Sequence, residues 1–383
     1  MTHTARRTPH SAQADPMESE SKPAFGRFFL PGPTEVHPDI LAAQLHPMIG
    51  HRGKAMVELM SDLQPGLKRL FRTERPVYVA AASATGFMEA AIRNCALERV
   101  LALVNGAFSD RFRKIAASNG LEVDALEVPW GEVHSPDQLA HALADKHYDA
   151  VTVVHSETST GALNPIEQLA VVAHDAGDVV LLVDSVTGLA GAPVESDAWR
   201  LDFVLTGSQK ALALPPGVAL GVAQASALAR ARKKTNRGTY FDFLDFESYL
   251  EKNQTPNTPP LSLLYALREQ LRRIDAEGVE ARWERHLAMA ERTWGWVDAM
   301  RDRGVELQVL SPSGGRSPTV TCIMLPDAIA GPEVVAGMAA RGFTIGGGYG
   351  KLKPVAFRIG HMGDHTVEEL EILLNRLEEV LLT

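Results

Sequence analysis

Lys210 is the single charged residue in the stretch Leu205–Gly217. Gly207-Ser208 comes shortly before it, and the breaker Pro215-Pro216-Gly217 follows it. The mostly apolar run 201–205 predicts a buried strand just before it. Burial of Lys210 with no carboxylate close in sequence would lower its pKa and make the neutral, nucleophilic amine available. The alternative is an ordinary surface lysine in a turn.

The apolar run 179–183 ends at Asp184 and is followed by turn residues. This pattern predicts a buried strand that delivers a carboxylate at its C-terminal end, where α/β proteins bind ligands. An aspartate there, followed one βα unit later by a buried lysine, fits a pyridoxal 5′-phosphate site. The lysine bonds the cofactor's aldehyde, and the carboxylate keeps the pyridine nitrogen protonated. Taken alone, Asp184 could equally be a helix N-cap.

A small loop, Ala82–Gly86, separates a predicted strand over 77–81 from a predicted helix over 87–95. Strand, small loop and helix together can cradle a phosphate, because free backbone N–H groups and the helix dipole meet the anion. The hydroxyls of Ser83 and Thr85 would add donors. An ordinary βα turn looks the same, and no Gly-Lys-Ser/Thr follows, so this is not a Walker A loop.

Two more strand ends carry candidate groups. Phe108 follows the apolar run 100–104 and could stack on a flat ligand ring, or could simply be core. Thr158 lies in the hydroxyl-rich loop 156–161, which follows a strand-like run over 148–155. Its hydroxyl could donate to the phenolic oxygen of the cofactor, and an ST-turn with a helix cap is the alternative.

Two candidates lie at the ends of the chain's ordered part. Gly32 in Pro31-Gly32-Pro33 allows backbone to approach a ligand, or belongs to a plain surface turn. Arg358 stands inside the apolar strand 355–360 and needs an anionic partner. That partner is either a substrate carboxylate, gripped by two parallel hydrogen bonds, or a structural ion pair.

The alternation of strands and helices predicts a parallel, doubly wound α/β sheet, whose right-handed crossovers place all these strand ends on one face. The part after residue 304 predicts a small α+β domain with an antiparallel sheet, in which 346–350 is a mobile loop. The region 236–254 is expected to be irregular, and a long helix over 278–301 could tie the two domains together. We expect a disordered tail over 1–24, a large cofactor-binding domain with an N-terminal arm over 25–278, and a small C-terminal domain over 279–383.

Composition excludes several classes of protein. The chain has 383 residues, 22% of them charged, and a net charge of -9, which gives no electrostatic support for nucleic-acid binding. Its two cysteines, Cys95 and Cys322, lack metal-site spacing and predict buried thiols in a reducing compartment. No apolar run could span a bilayer and no secretory signal is visible, so we expect a cytoplasmic protein, and Met17 could be the true start.

From about Phe28 to its end, the sequence resembles the class V aminotransferases of fold type I, in the alanine–glyoxylate and serine–glyoxylate (serine–pyruvate) branch. The resemblance rests on Val183-Asp184-Ser185, on Gly207–Ala211 with Pro215-Pro216-Gly217, on His155–Gly161 and on Arg358-Ile359-Gly360. It implies a large domain with a mostly parallel seven-stranded sheet flanked by helices, a small C-terminal α+β domain, and a homodimer with active sites at the subunit interface.

The resemblance also implies roles for single residues. Lys210 would bond the cofactor and shuttle the proton, Asp184 would pair with the pyridine nitrogen, and Arg358 would clamp the substrate carboxylate beside Gly32. The remaining implied cofactor contacts are Ser83, Ala84, Thr85 and Gln209 at the phosphate, Phe108 and Val186 on the ring faces, Thr158 at the ring hydroxyl, and Thr258 at the phosphate of the neighbouring subunit. Three positions depart from the family pattern: Phe108 replaces a tryptophan, the 83–85 loop lacks the usual glycine, and Thr255 replaces a tyrosine.

The implied reaction is a ping-pong transfer of an amino group from alanine or serine to glyoxylate or pyruvate. The alternatives are a 2-aminoethylphosphonate or other amine transaminase, a related lyase such as a cysteine desulfurase, and a non-catalytic dimer scaffold. A desulfurase needs a reactive cysteine on a mobile loop, and neither cysteine lies in one. No metal site is predicted.

Overall fold

The structure, a computed structural model, describes residues 25–382. The expected tail over 1–24 and the alternative start at Met17 therefore lie outside the described residues. The strands are β1 Phe28–Phe29, β2 Tyr78–Ala81, β3 Arg99–Val104, β4 Glu122–Glu127, β5 Ala150–Val154, β6 Ser156–Glu157, β7 Ala162–Leu163, β8 Val180–Asp184, β9 Phe203–Gly207, β10 Val218–Ala223, β11 Gln308–Val309, β12 Thr321–Met324, β13 Thr344–Gly347 and β14 Ala356–Ile359.

The α-helices flank these strands, and short 3₁₀ turns cover Ser313–Gly315 and Gly350–Leu352. The α-helices are α1 Pro38–Ala43, α2 Lys54–Phe71, α3 Ala84–Cys95, α4 Ala107–Ser118, α5 Pro136–Asp145, α6 Ile166–Asp175, α7 Ala225–Lys233, α8 Phe243–Leu250, α9 Leu261–Glu277, α10 Val279–Asp302, α11 Gly331–Ala340 and α12 Val367–Leu381.

The large sheet has seven strands in the order β2-β10-β9-β8-β5-β3-β4. The pairs from β9 to β4 are parallel, and β10 runs antiparallel to both of its neighbours. Residues of β5, β8, β9 and β10 are buried throughout, as expected of a sheet covered on both faces. This confirms the predicted α/β fold and its mostly parallel seven-stranded sheet, and it brings the ends of β2, β3, β5, β8 and β9 to one edge.

The second sheet has five strands in the order β1-β13-β14-β12-β11 and is antiparallel except where β1 joins it. Phe28 and Phe29 pair in parallel with Thr344 and Ile345, so the start of the described chain completes the sheet near its end. Each sheet has its own hydrophobic core. We propose domains over 25–278 and 279–383 on this basis, with the N-terminal arm crossing between them.

The structure corrects two local predictions. The predicted loop over 346–350 begins too early, because Gly346 and Gly347 belong to β13 and pair with β14. These glycines serve close packing: a Cβ on Gly346 would lie 2.6 Å from Pro31 Cδ. The region 236–254 is also not wholly irregular. It contains α8, which begins where the Asp242 carboxylate accepts a hydrogen bond from the backbone N–H of Leu244 at 2.9 Å.

No helix within residues 25–382 is both long and apolar enough to cross a membrane.

Candidate active site

A cavity of about 430 Å³ opens where the strands of the large sheet end. This is the edge at which α/β proteins bind ligands, and the volume suits a small cofactor. The residues that line the cavity are Ser83, Ala84, Thr85, Met88, Phe108, Arg111, Val154, Ser156, Thr158, Asp184, Val186, Thr187, Gln209 and Lys210.

Lys210 follows β9 and is buried, with 7% of its surface exposed. Its Nζ donates a hydrogen bond to the carbonyl oxygen of Pro31. The pKa of Lys210 is lowered to about 7, mainly by burial and then by the positive charge of Arg358, while Asp184 and Glu157 oppose the shift. A substantial fraction of the amine is therefore neutral near pH 7. This places the lysine in the state that the sequence predicted for a nucleophile.

Asp184 is the last residue of β8 and is 2% exposed. Its Oδ1 accepts a hydrogen bond from the backbone N–H of Val186 at 2.8 Å. Burial raises the pKa of Asp184 to about 7, against that hydrogen bond. A cation bound beside this carboxylate would recover the free energy lost by burying its charge. Asp184 is therefore suited to hold a protonated ring nitrogen.

One end of the cavity is formed by the start of α3, whose N-cap is Ser83. The first N–H groups of a helix lack partners within the helix, and the helix dipole adds positive potential there. Ser83 is exposed and Thr85 is half-buried, and Gln209 lines the same end. A Cβ on Gly207 would lie 2.8 Å from Gln209 Oε1 and 3.1 Å from Ala84 Cβ, so β9 approaches the helix closely. This end can bind an anion such as phosphate.

Phe108 and Val186 form apolar parts of the cavity wall. Phe108 is the second residue of α4, and the Lys210 Nζ lies 5.8 Å from its ring centroid. Arg111, one helical turn further on, places its guanidinium 4.7 Å from the same centroid. Tyr349, in the segment that follows β13, contacts Phe108 with 5.4 Å between the two ring centroids. A flat ring could therefore bind against Phe108.

Arg358 lies on β14, 9% exposed, at the side of the cavity. Its Nη1 donates to the Thr158 carbonyl oxygen at 2.9 Å and its Nε donates to the Gly347 carbonyl oxygen at 2.8 Å. Within residues 25–382, no carboxylate lies within ion-pair distance of it. The alternative of a structural ion pair therefore finds no support in this part of the chain. Burial lowers the pKa of Arg358 from its usual value, and a bound anion would offset that cost.

Gly32 contacts the lysine directly. Its φ is +116°, and a Cβ there would lie 2.4 Å from Lys210 Nζ. The backbone N–H of Thr34 donates to the Gln209 carbonyl oxygen at 2.9 Å, which fixes this segment to the lysine loop. The choice of glycine at position 32 therefore follows from the space that Lys210 needs.

The structure brings nine of the predicted cofactor contacts into one cavity, with Gly32 and Arg358 beside it. Thr258 is separate: it is exposed and does not line the cavity of its own chain. The sequence reasoning missed five lining residues. Arg111 and Met88 could have been found from helical spacing, because they follow Phe108 and Thr85 by three positions; the others are Val154, Ser156 and Thr187.

The sequence profile of the family described as aminotransferase class-V matches residues 42–355, and the chain belongs to this family. An uncharacterized aminotransferase of Methanocaldococcus jannaschii is 38% identical over 87% of each chain. The serine–glyoxylate aminotransferase of Methylorubrum extorquens is 33% identical over 93% of this chain and 90% of its own. The crystal structure of alanine–glyoxylate aminotransferase from Nostoc sp. has a TM-score of 0.88 and 32% identity, covering 96% of this chain and 97% of its own.

The protein is thus an aminotransferase, as the sequence predicted. The comparisons do not favour the alternative activities. Both cysteines are also fully buried, which raises the pKa of Cys322 to about 12 and that of Cys95 further still. Neither thiol is suited to the nucleophilic role that a desulfurase needs.

Proposed function

We propose that this aminotransferase uses pyridoxal 5′-phosphate to transfer the amino group of alanine or serine to glyoxylate or pyruvate. The observation that carries the proposal is that Lys210 and Asp184 line one cavity, each with a pKa brought to about 7 by burial. The amine and the carboxylate have the chemistry to hold opposite sides of one heterocycle.

The residues of the cavity fit this cofactor. An anion site at the start of α3 lies at one end, the carboxylate of Asp184 is available for the ring nitrogen, and the amine of Lys210 is available for the aldehyde. We propose that Ser83, Ala84, Thr85 and Gln209 hold the phosphate, Phe108 and Val186 cover the ring, and Thr158 donates to the ring hydroxyl. Thr158 Oγ1 shares a hydrogen bond with Thr187 Oγ1, in which either oxygen can be the donor. With Thr187 as the donor, the Thr158 proton is free for the ring hydroxyl.

When bound, the cofactor supplies an aldehyde that takes up the amino group and a ring that accepts the electrons left by removal of the Cα proton. Lys210 would then serve as the base: its neutral amine would take the proton from Cα of the amino acid and return it to the carbon on the other side of the transferred nitrogen. Arg358 holds the carboxylate of each substrate, and Gly32 leaves room for both. The second half of the cycle runs the same proton movements in reverse.

The substrate proposal rests on a single clamp and on the relatives. Of the described residues, Arg358 lies where one substrate carboxylate would bind. The names of the Methylorubrum and Nostoc proteins give serine and alanine as donors and glyoxylate as acceptor. We further propose a cytoplasmic homodimer, in which Thr258 reaches the neighbouring subunit's phosphate. The exposure of Thr258 is consistent with a contact to a second subunit. The free, buried thiols are consistent with a reducing compartment such as the cytoplasm.

The test is a panel of amino donors and oxo-acid acceptors applied to purified wild-type protein and to Lys210→Ala. We expect the wild type to bind pyridoxal 5′-phosphate with a visible absorbance band and to turn over alanine or serine with glyoxylate or pyruvate. Lys210→Ala should lose the band and about 10³-fold or more in kcat, since the general base is removed. A variant that retains the band, or a wild type that uses only a phosphonate amine, would contradict the proposal.

A further inference from the structure

The carboxylate of Glu157 is fully buried next to the cavity but does not line it. The reaction proposed above gives it no part. Of the described residues, no arginine, lysine or histidine pairs with it at ion-pair distance. An ionised carboxylate in such a place needs several hydrogen-bond donors to offset its desolvation.

Five donors meet this carboxylate from two elements. From the start of α4, the backbone N–H groups of Phe108 and Ser109 donate to Oε2 at 3.1 and 2.9 Å, and the Ser109 hydroxyl donates at 3.0 Å. From its own loop, the N–H and hydroxyl of Ser159 donate to Oε1 at 3.1 and 2.6 Å. The positive end of the α4 dipole adds to this stabilisation.

The chain is also shaped to admit this side chain. A Cβ on Gly106 would lie 2.4 Å from Glu157 Cγ and 2.6 Å from Ser159 Oγ. The Ser159 hydroxyl in turn accepts a hydrogen bond from the N–H of Ala107 at 3.0 Å. The first turn of α4 is therefore attached to the loop 157–159 through one carboxylate and one hydroxyl.

Two cavity residues depend on this attachment. The backbone N–H of Phe108 donates to the Glu157 carboxylate. The carboxylate therefore holds the backbone from which the aromatic ring extends. Thr158 follows Glu157 directly, and its carbonyl oxygen holds Arg358. We propose that Glu157 is a positioning residue, which sets the Phe108 ring against the cofactor ring by fixing the start of α4 to the Thr158 loop. The inference rests on the proposed function, because it needs a planar cofactor in the cavity.

The experiment is a double-mutant cycle on cofactor affinity. The variants are Glu157→Gln, Phe108→Ala and the pair together, and the dissociation constant is measured by titrating apo-protein with pyridoxal 5′-phosphate. Glutamine keeps the size but turns one acceptor into an NH₂ group that faces N–H donors. The matched control is Glu167→Gln, which makes the same change at an exposed carboxylate in the first turn of α6.

We expect Glu157→Gln to weaken binding about ten-fold in the wild-type background, since charge-assisted hydrogen bonds are lost, and less than two-fold in the Phe108→Ala background. The visible circular dichroism per bound cofactor should change as well, because it reports the ring's surroundings. Glu167→Gln should match the wild type in both readouts. Unchanged affinity, or an equal loss in both backgrounds, would overturn the role of Glu157.

If Glu157→Gln does not fold, Ser159→Ala replaces it in the same cycle, because it removes only the 2.6 Å hydrogen bond to Oε1 and the acceptor of the Ala107 N–H. A two- to five-fold loss that disappears in the Phe108→Ala background is then expected, and an equal loss in both backgrounds overturns the inference. Failure of the wild type to bind pyridoxal 5′-phosphate would instead overturn the proposed function itself.

Discussion

Lys210 and Asp184 show how burial, as the main cause, shifts the pKa values of two ordinary side chains toward neutrality. Burial lowers the pKa of the lysine and raises that of the aspartate, and both reach about 7. Sequence reasoning predicted the neutral lysine, because an uncharged stretch around Lys210 implied burial. It did not predict that Arg358 would add to the shift, because that guanidinium approaches from a different sheet.

The shifted pKa of Lys210 predicts a pH dependence for the apo-protein. The free amine is the reactive form, so bonding of Lys210 to pyridoxal 5′-phosphate should increase as pH rises through about 7, and reach a plateau about one unit higher. The measurement is reduction of the mixture with borohydride at each pH, followed by peptide mapping of the labelled lysine.

Arg358→Met provides the comparison for this titration. The Arg358 charge lowers the pKa of Lys210, so its removal should move the midpoint to higher pH. A wild-type midpoint near 10.5, the ordinary value for lysine, would show that the amine is not buried as described.

At the scale of single elements, the short segment that follows β1 controls the lysine. Gly32 approaches Lys210 so closely that no side chain fits, and the Pro31 carbonyl accepts the lysine's hydrogen bond. The Pro-Gly-Pro pattern predicted a turn and possible proximity to a ligand. It did not identify the neighbour, because Lys210 is 178 positions away in the sequence.

Gly32→Ala should therefore displace Lys210 and strain the backbone, since φ is +116°. We expect a fall in kcat/KM of about 10²-fold, consistent with a misplacement of about 1 Å at a reacting group. Steady-state kinetics with saturating cofactor measure this. Gly50→Ala is the control, because a Cβ at Gly50 meets nothing within 4 Å and should leave the rate unchanged. Equal activity of the two variants would contradict the proposed contact.

At the scale of the whole molecule, helix α10 connects the lysine loop to the small sheet. The buried Arg282 donates to the carbonyl oxygen of Ala211, the residue after Lys210, at 2.9 Å, and to Asp364 Oδ1 at 3.0 Å. Asp364 also accepts from Gln270 at 3.0 Å, and His286 accepts from the Gly363 N–H at 3.0 Å. The loop after Arg358 and the loop after Lys210 are thus held by one helix.

Arg282→Ala should lower the free energy of unfolding by about 3 kcal/mol, because it leaves the buried Asp364 carboxylate without its main partner. Urea denaturation of the apo-protein measures this. Arg301→Ala on the same helix removes only an exposed pair with Asp298 and should change the free energy by less than about 0.5 kcal/mol. Similar values for the two variants would show that the Arg282 contacts are not stabilising.

The proposed homodimer predicts complementation between two defective chains. If Thr258 acts in the neighbouring subunit's site, Thr258→Ala should weaken cofactor binding several-fold although it does not line its own cavity. A hybrid of Thr258→Ala with Lys210→Ala should then regain one site of wild-type affinity, because that site takes its lysine from one chain and its threonine from the other. Titration of separately tagged, co-purified hybrids tests this, and a hybrid with no wild-type site would contradict the shared arrangement.

Local sequence determined the elements and much of the site. The buried strand that ends in Asp184, and those that lead to Phe108 and Thr158, were predictable because apolar runs followed by turn residues form sheet strands. Parallel strands then place their ends together. The lysine's burial followed from its uncharged neighbours. These are properties of short segments, and short segments are visible in sequence.

Only the tertiary structure decided which segments meet across long separations. The pairing of Phe28–Phe29 with β13, the contact of Gly32 with Lys210, the clamp of Arg282 and the donors around Glu157 all join distant positions. The last two residues of β13 were missed, because glycines predict a loop locally but serve close packing in the fold. Such contacts depend on how two sheets pack, and no spacing within either segment encodes that packing.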